Sequence, residues 1–216
     1  MDLNLRALLR VAGLGGGSVG YTLPHANEKS ELMTAMVLPP YTEMTRKGNG
    51  WSVEITTAIA GLVIRPAVTA ATEFWNGYPS GGPSLVIDRI WFFNLVSTNV
   101  VEGASLWAQV TAPKAGPAQI AQVAATTIRG LSGKAYGGPV ILAISTTVID
   151  SGWHPWGPMQ TKGAGGVVPF GASEARVEGR LIVPPQCSLC LHVVASLVGD
   201  TFTTGASWYE EQLTML

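Results

Sequence analysis

Three histidines, two cysteines and a thin scatter of carboxylates are the chemical resources of this 216-residue chain. Cys187 and Cys190, with His192 close behind, have the residue types of a metal or redox centre. Alternation along a strand, however, sends Cys187 to one face and Cys190 with His192 to the other. Neither a mutual disulfide nor a shared ion fits that geometry, and a zinc site would need two further ligands from other strands. Reduced, buried thiols are the expectation. His25, His154 and His192 are the imidazoles from which any Ser-His-acid triad would draw, and none sits in a suggestive setting. Gly15-Gly16-Gly17-Ser18-Val19-Gly20 matches the dinucleotide pattern G-x-G-x-x-G, and Gly16 to Gly20 also match the nucleophile elbow G-x-S-x-G. Both motifs need a strand before and a helix after. Here a helical pattern comes first and Tyr21-Thr22-Leu23-Pro24 offers none afterwards, so a flexible linker accounts for both matches.

The carboxylates Glu54, Glu73, Asp88, Glu102, Asp150, Glu174 and Glu178 are too scattered to nominate a facing pair for glycoside hydrolysis. Structural ion pairs and rim charges are the expected use. No catalytic, cofactor-binding or metal-binding residue is assigned on these grounds, and the expectation is a protein that is not an enzyme and carries no cofactor. Trp153, His154 and Trp156 remain, in a segment 151–157 that Pro155 stiffens and that reads as a loop. Exposed indoles there could stack on a sugar; the rival reading is that they close the end of the fold or fill a subunit contact.

The elements that must position these groups are mostly strands. Leu5, Leu8, Leu9 and Ala12 recur at helical spacing, so residues 2–12 read as a short amphipathic helix, followed by a glycine-rich connector over 13–20. Residues 21–50 show little periodicity apart from a possible short helix at 28–36. They read as an extended arm whose apolar anchors Leu32, Met33, Met36, Val37 and Leu38 are candidate contacts with a partner. From Trp51 the pattern changes to strand after strand, which predicts an arm over 1–50 and a β domain over 51–216. Strand-like runs cover 51–60, 62–64, 68–75, 85–96, 104–111, 139–149 and 175–183, whereas 120–128 reads as strand or short helix. Leu189, Leu191, Val193, Ala195 and Leu197 then alternate up to Gly199-Asp200, and Phe202, Thr204, Ala206 and Trp208 alternate after it. A glycine-led two-residue break between such runs predicts a hairpin, that is, two adjacent strands of one sheet. With about eight to ten strands and no alternation of strand with helix, the expected fold is an all-β, antiparallel sandwich of jelly-roll type.

Composition narrows the partners. Only 12% of residues are charged and 47% are hydrophobic, with Gly 26 and Pro 14; an average soluble domain has about a quarter charged. Such a surface predicts cover by other chains. A net charge of −1 disfavours nucleic acid as a partner. The uncharged stretch 181–199 alternates and contains Pro184, Pro185, Gln186 and His192, which argues against a membrane helix. The start Met1-Asp2-Leu3 lacks the cationic entry of a secretory signal, so export by that route is not expected.

Trp153-His154-Pro155-Trp156-Gly157, Arg180-Leu181-Ile182-Val183-Pro184-Pro185 and Thr203-Thr204-Gly205-Ala206-Ser207-Trp208-Tyr209-Glu210 give the chain a particular texture over roughly 50–213. It resembles virion structural proteins of tailed bacteriophages and is similar to small jelly-roll decoration, or cement, proteins of icosahedral heads. That resemblance brings no catalytic residues. It implies a homo-oligomer, commonly a trimer, that is made in the host cytoplasm and sits on the capsid surface, with its N-terminal arm gripping the major capsid protein. The alternative expectation is a receptor- or glycan-binding module of a head fibre or tail.

Overall fold

The computed structural model describes residues 40–97, 102–117, 122–123, 128–162, 171–197 and 199–213. The expected helix at 2–12, the glycine connector, His25, the possible helix at 28–36 and the anchors Leu32, Met33, Met36, Val37 and Leu38 lie outside these residues. A short helix, α1 (Pro40–Arg46), precedes the first strand. Proline suits its first turn, where the missing N–H would have no helical partner. Gly48, at φ 75°, ends it: its N–H bonds Thr45 O and the Asn49 N–H bonds Met44 O, a Schellman closure. The sequence reads residues 40–46 as part of the extended arm, whereas Pro40 here begins a helix.

The strands are β1 (Gly50–Ala60), β2 (Thr69–Trp75), β3 (Ser84–Val96), β4 (Glu102–Val110), β5 (Gln122–Val123), β6 (Arg129–Gly130), β7 (Ile141–Thr147), β8 (His154–Lys162), β9 (Ala172–Val183), β10 (Ser188–Ala195) and β11 (Thr201–Glu211). They form two antiparallel sheets, in the orders β6-β1-β11-β3-β9 and β5-β7-β2-β10-β4-β8. The chain is therefore an all-β sandwich, as the alternation predicts. The order of pairing gives it a jelly-roll path: β1 pairs with β11, β2 with β10, β3 with β9 and β4 with β8, as if one long hairpin had been wrapped around the core. The three other strands, β5 to β7, come from the connection between β4 and β8 and extend the two sheets beyond β1 and β2.

This wrapping overturns the expected terminal hairpin. β10 lies between β2 and β4 in one sheet and β11 between β1 and β3 in the other, so the two are not hydrogen-bonded neighbours. Gly199 does take a positive φ, 104°, but the turn carries the chain from sheet to sheet. Period two reports which side chains share a face; it carries no information about which strand accepts the backbone hydrogen bonds. A similar crossing joins β9 to β10, through a turn in which the Cys187 N–H bonds Pro184 O and Gln186 holds φ 64°. Pro185 at the second position presets that turn.

Between the sheets, Phe74, Leu106, Leu142, Leu189 and Leu191 meet Ile55, Ile87, Ile90, Phe92, Phe202 and Trp208. Phe74 and Trp208 contact edge to face with centroids 6.4 Å apart, and a polar link crosses the layer from Thr72 Oγ1 to Thr204 Oγ1 at 2.9 Å. At one end of the sandwich, Glu210 accepts hydrogen bonds from the hydroxyls of Tyr78 (2.9 Å) and Tyr136 (3.0 Å), tying the β2–β3 loop and the inserted segment to β11.

Burial, reinforced by the Glu210 carboxylate, pushes the Tyr78 phenol up to about 12 and raises Tyr136 as well. Both phenols thus stay protonated in the fold to higher pH than in the unfolded chain, where they ionise near 10. Above pH 10 the unfolded state sheds protons that the folded state keeps, so this contribution to stability is whole below pH 10 and declines toward pH 12. Thermal melts across that range should show the midpoint falling, and the double variant Tyr78→Phe, Tyr136→Phe should flatten the decline.

Candidate functional site

The segment expected to be a recognition loop is largely strand. His154 to Gly157 begin β8, with His154 opposite Ala108, Pro155 opposite Trp107 and Trp156 opposite Leu106. Proline is tolerated there because β8 is the edge of its sheet, where one row of backbone groups has no partner strand. Trp153, just before it, is buried, and its indole N–H donates to Ala67 O at 2.8 Å. It packs with Ala70, Val148, Cys190 and the half-buried Trp107 in a second apolar cluster, so it has no free face for a sugar or a subunit. His154 is exposed. Trp156 is half-buried against the main core, and the Arg180 guanidinium lies 5.4 Å from its ring centroid. With Glu174 and Arg176 these residues line a shallow cleft of about 400 Å³ between the edge strands β8 and β9. The structure thus brings His154 and Trp156 together and sets Trp153 apart from them.

The second cluster exists because β10 needs cover on both sides. Leu189, Leu191 and Val193 enter the main core, which turns Ser188, Cys190 and His192 to the opposite face, as the alternation predicts. That face is closed by hydrogen bonds: Gln109 Nε2 donates to Ile149 O and Gln109 Oε1 accepts from the Ser151 N–H. The Val148 N–H donates to Val68 O, which continues the β2–β7 ladder by one pair. Both cysteines are free and buried, and burial pushes their thiols up, Cys190 most strongly. Burial likewise pushes the His192 imidazole down, and its Nδ1 lies 3.1 Å from Val193 O.

The carboxylates are used individually. Buried Glu73 meets Lys114 Nζ at 2.6 Å and the Ser188 hydroxyl at 2.5 Å, and Glu54 accepts from Thr203. Asp150 holds Arg65 through two contacts of 2.7 and 3.1 Å; that guanidinium, with the Gly152 N–H, keeps the Asp150 carboxyl below its ordinary range. Arg89 lies between Asp88 (3.3 Å) and Glu174 (3.2 Å), and burial pushes the Asp88 carboxyl up against the pull of Arg89. Among the described residues no group of three His, Cys, Asp or Glu side chains is placed to hold a metal ion.

Two surfaces escaped the sequence reading. The segment after β1 and the segment after β7 bring Val63, Ile64, Val68 and Ile149 to one rim, joined by the Arg65–Asp150 pair. Ile64 is 70% exposed and Ile149 72%. Their signal was faint: Ile64 and Ile149 each directly precede a member of the ion pair, in runs that read as ordinary strand. The other surface is the outer face of the five-stranded sheet, where Trp91 lies over Gly205. A glycine in mid-strand marks close approach, and Gly205 was the available clue. Comparison with family models, curated proteins and solved structures returned no match to this chain.

Removing Trp153 should cost about 3–5 kcal/mol, because the second cluster would be left with a large void. Urea denaturation of Trp153→Ala followed by circular dichroism measures this, and Trp156→Ala should cost less.

Proposed function

We propose that this chain is a non-enzymatic structural protein of a virion, one that stabilises a tailed-phage capsid by binding the outer surface of the major capsid protein lattice as a homotrimer. The observation that carries this reading is the apolar rim formed by Val63, Ile64, Val68 and Ile149 on a jelly-roll sandwich. Large aliphatic side chains gathered at one rim are costly in water and mark a contact surface. Covering Ile64 and Ile149 fully would contribute about 1.5–3 kcal/mol for each. A chain with 12% charged residues has few charges with which to keep such a surface apart from others. The likeness of its terminal segments to jelly-roll decoration proteins points the same way, and double-sheet jelly rolls are a frequent architecture of capsid proteins.

In this reading the rim joins subunits and the apolar residues of the arm, Leu32 to Leu38, engage the lattice. Deleting residues 1–39 leaves α1 and its closure at Gly48 intact, so the β domain should stay folded while occupancy on particles is lost. Undiminished occupancy would sink the role of the arm. Ile64→Asp combined with Ile149→Asp should shift the oligomer to monomer in light scattering at unchanged circular dichroism; an unaltered mass would exclude the rim as the subunit contact.

A further inference from the structure

The outer face of the sheet β6-β1-β11-β3-β9 carries an indole held flat. Ile90 and Phe92 are fully buried in the core, so Arg89, Trp91 and Phe93 point away from it. Trp91 stands opposite Gly205 of β11 on one side and Glu174 of β9 on the other. A Cβ at position 205 would lie 2.3 Å from Trp91 Cε2, 2.4 Å from Cζ2 and 2.5 Å from Nε1. Cε2 is a ring-fusion atom bonded to Nε1, Cζ2 and Cδ2; a point this close in the ring plane would lie nearer to Cζ2 or Nε1 than to Cε2, so the added Cβ lies off the plane, over the edge that carries Nε1 and Cζ2. The indole therefore lays the Nε1–Cζ2 edge of one face over Gly205 and turns the other face outward.

Around it Ser52, Asp88, Arg89, Ser173, Glu174 and Ser207 form most of a concave surface of about 540 Å³. A bulge in β3 between Ile87 and Arg89 re-aims the chain so that Asp88 and Arg89 both line it. Arg89 is held between two carboxylates, and the Ser207 hydroxyl is buried with no hydrogen-bond partner among the described residues.

The geometry points to a saccharide-binding site in which Trp91 is the stacking platform and the surrounding carboxylates, serines and Arg89 bind ring hydroxyls. A pyranose has an apolar C–H face and an equator of hydroxyls that both donate and accept. The outward indole face meets the first need; carboxylate acceptors, guanidinium donors and serine hydroxyls meet the second. Asp88 and Glu174 would repel phosphate or another anion, so the ligand is a neutral or N-acetylated sugar. Phe93, 41% exposed on the same face, lies two residues further along, about 7 Å by the rise of a strand. A second ring can reach it, which makes the ligand an oligosaccharide. This site is separate from the apolar rim and does not depend on the capsid reading.

Full-length protein is screened on an array of short neutral and N-acetylated oligosaccharides, and the strongest binder is titrated by calorimetry. Wild type is expected to bind, Trp91→Ala to lose at least about tenfold in affinity and Trp91→Phe to lose less. Glu174→Gln should weaken binding at unchanged circular dichroism. Because Trp91→Ala could disturb the sheet, the wild-type protein is also titrated by NMR, where the Trp91 indole N–H resonance should shift with sugar before that of buried Trp153. No binder on the array, undiminished binding by folded Trp91→Ala, or a change of oligomeric mass in that variant would overturn the site; the last would make this face a subunit contact. Sugar binding that persists in the Ile64→Asp, Ile149→Asp variant would separate this site from the assembly surface, and its loss there would overturn their independence.

Discussion

Strand β10 is buried on both of its faces, and much of the molecule is arranged to cover it. One face supplies Leu189, Leu191 and Val193 to the space between the sheets; the other presents Ser188, Cys190 and His192. A two-layer sandwich would leave that second face in water. Here the chain after β1 and the chain after β7 are fastened over it by Trp153 and Gln109, so the sheet gains a partial third layer. The same fastening puts Ile149 on the outside, because the apolar face of its segment is already used by Val148 and Trp153.

Covering polar side chains carries an obligation that covering leucines does not. A buried carboxylate loses its hydration, and a single partner rarely restores it. Glu73 is accordingly met at Oε1 by both Lys114 and Ser188, while its Oε2 has no hydrogen-bond partner among the described residues, and Gln109 has a backbone partner for each end of its amide. The same desolvation favours the neutral forms of Cys190 and His192. Residues that look reactive in the sequence are thereby made quiet, which is a physical reason for reading this face as scaffold.

Much of the secondary structure was legible because alternation is enforced wherever one face meets the core: the runs at 51–60, 85–96 and 104–111 are strands. Partnering was not legible, since a hairpin and a crossing between sheets present the same alternation, and Gly199-Asp200 serves either. The segment at 153–157 misled for a related reason. A proline and a glycine suggest a loop, yet an edge strand has a free row of backbone groups and accepts them. Trp153 and Trp156 look alike in sequence, but only tertiary packing buries the first beneath Ala67 and leaves the second beside Arg180. Trp91 drew no notice because its distinguishing partner, Gly205, is remote in the chain.

The wrapped pairing also bears on how the protein is made. Trp51 stands opposite Trp208 and Gly50 opposite Tyr209, so apart from its two-residue pairing with β6 the first strand finds its long neighbour only after β11 has been synthesised. Until then β1 has an open edge and an uncovered apolar face, and no early subset of strands completes either sheet. Closure over such separations is slow, and incompletely paired strands are prone to associate with other chains. Folding is therefore a late event relative to translation, and nascent chains crowded on one message depend on keeping their first strands apart.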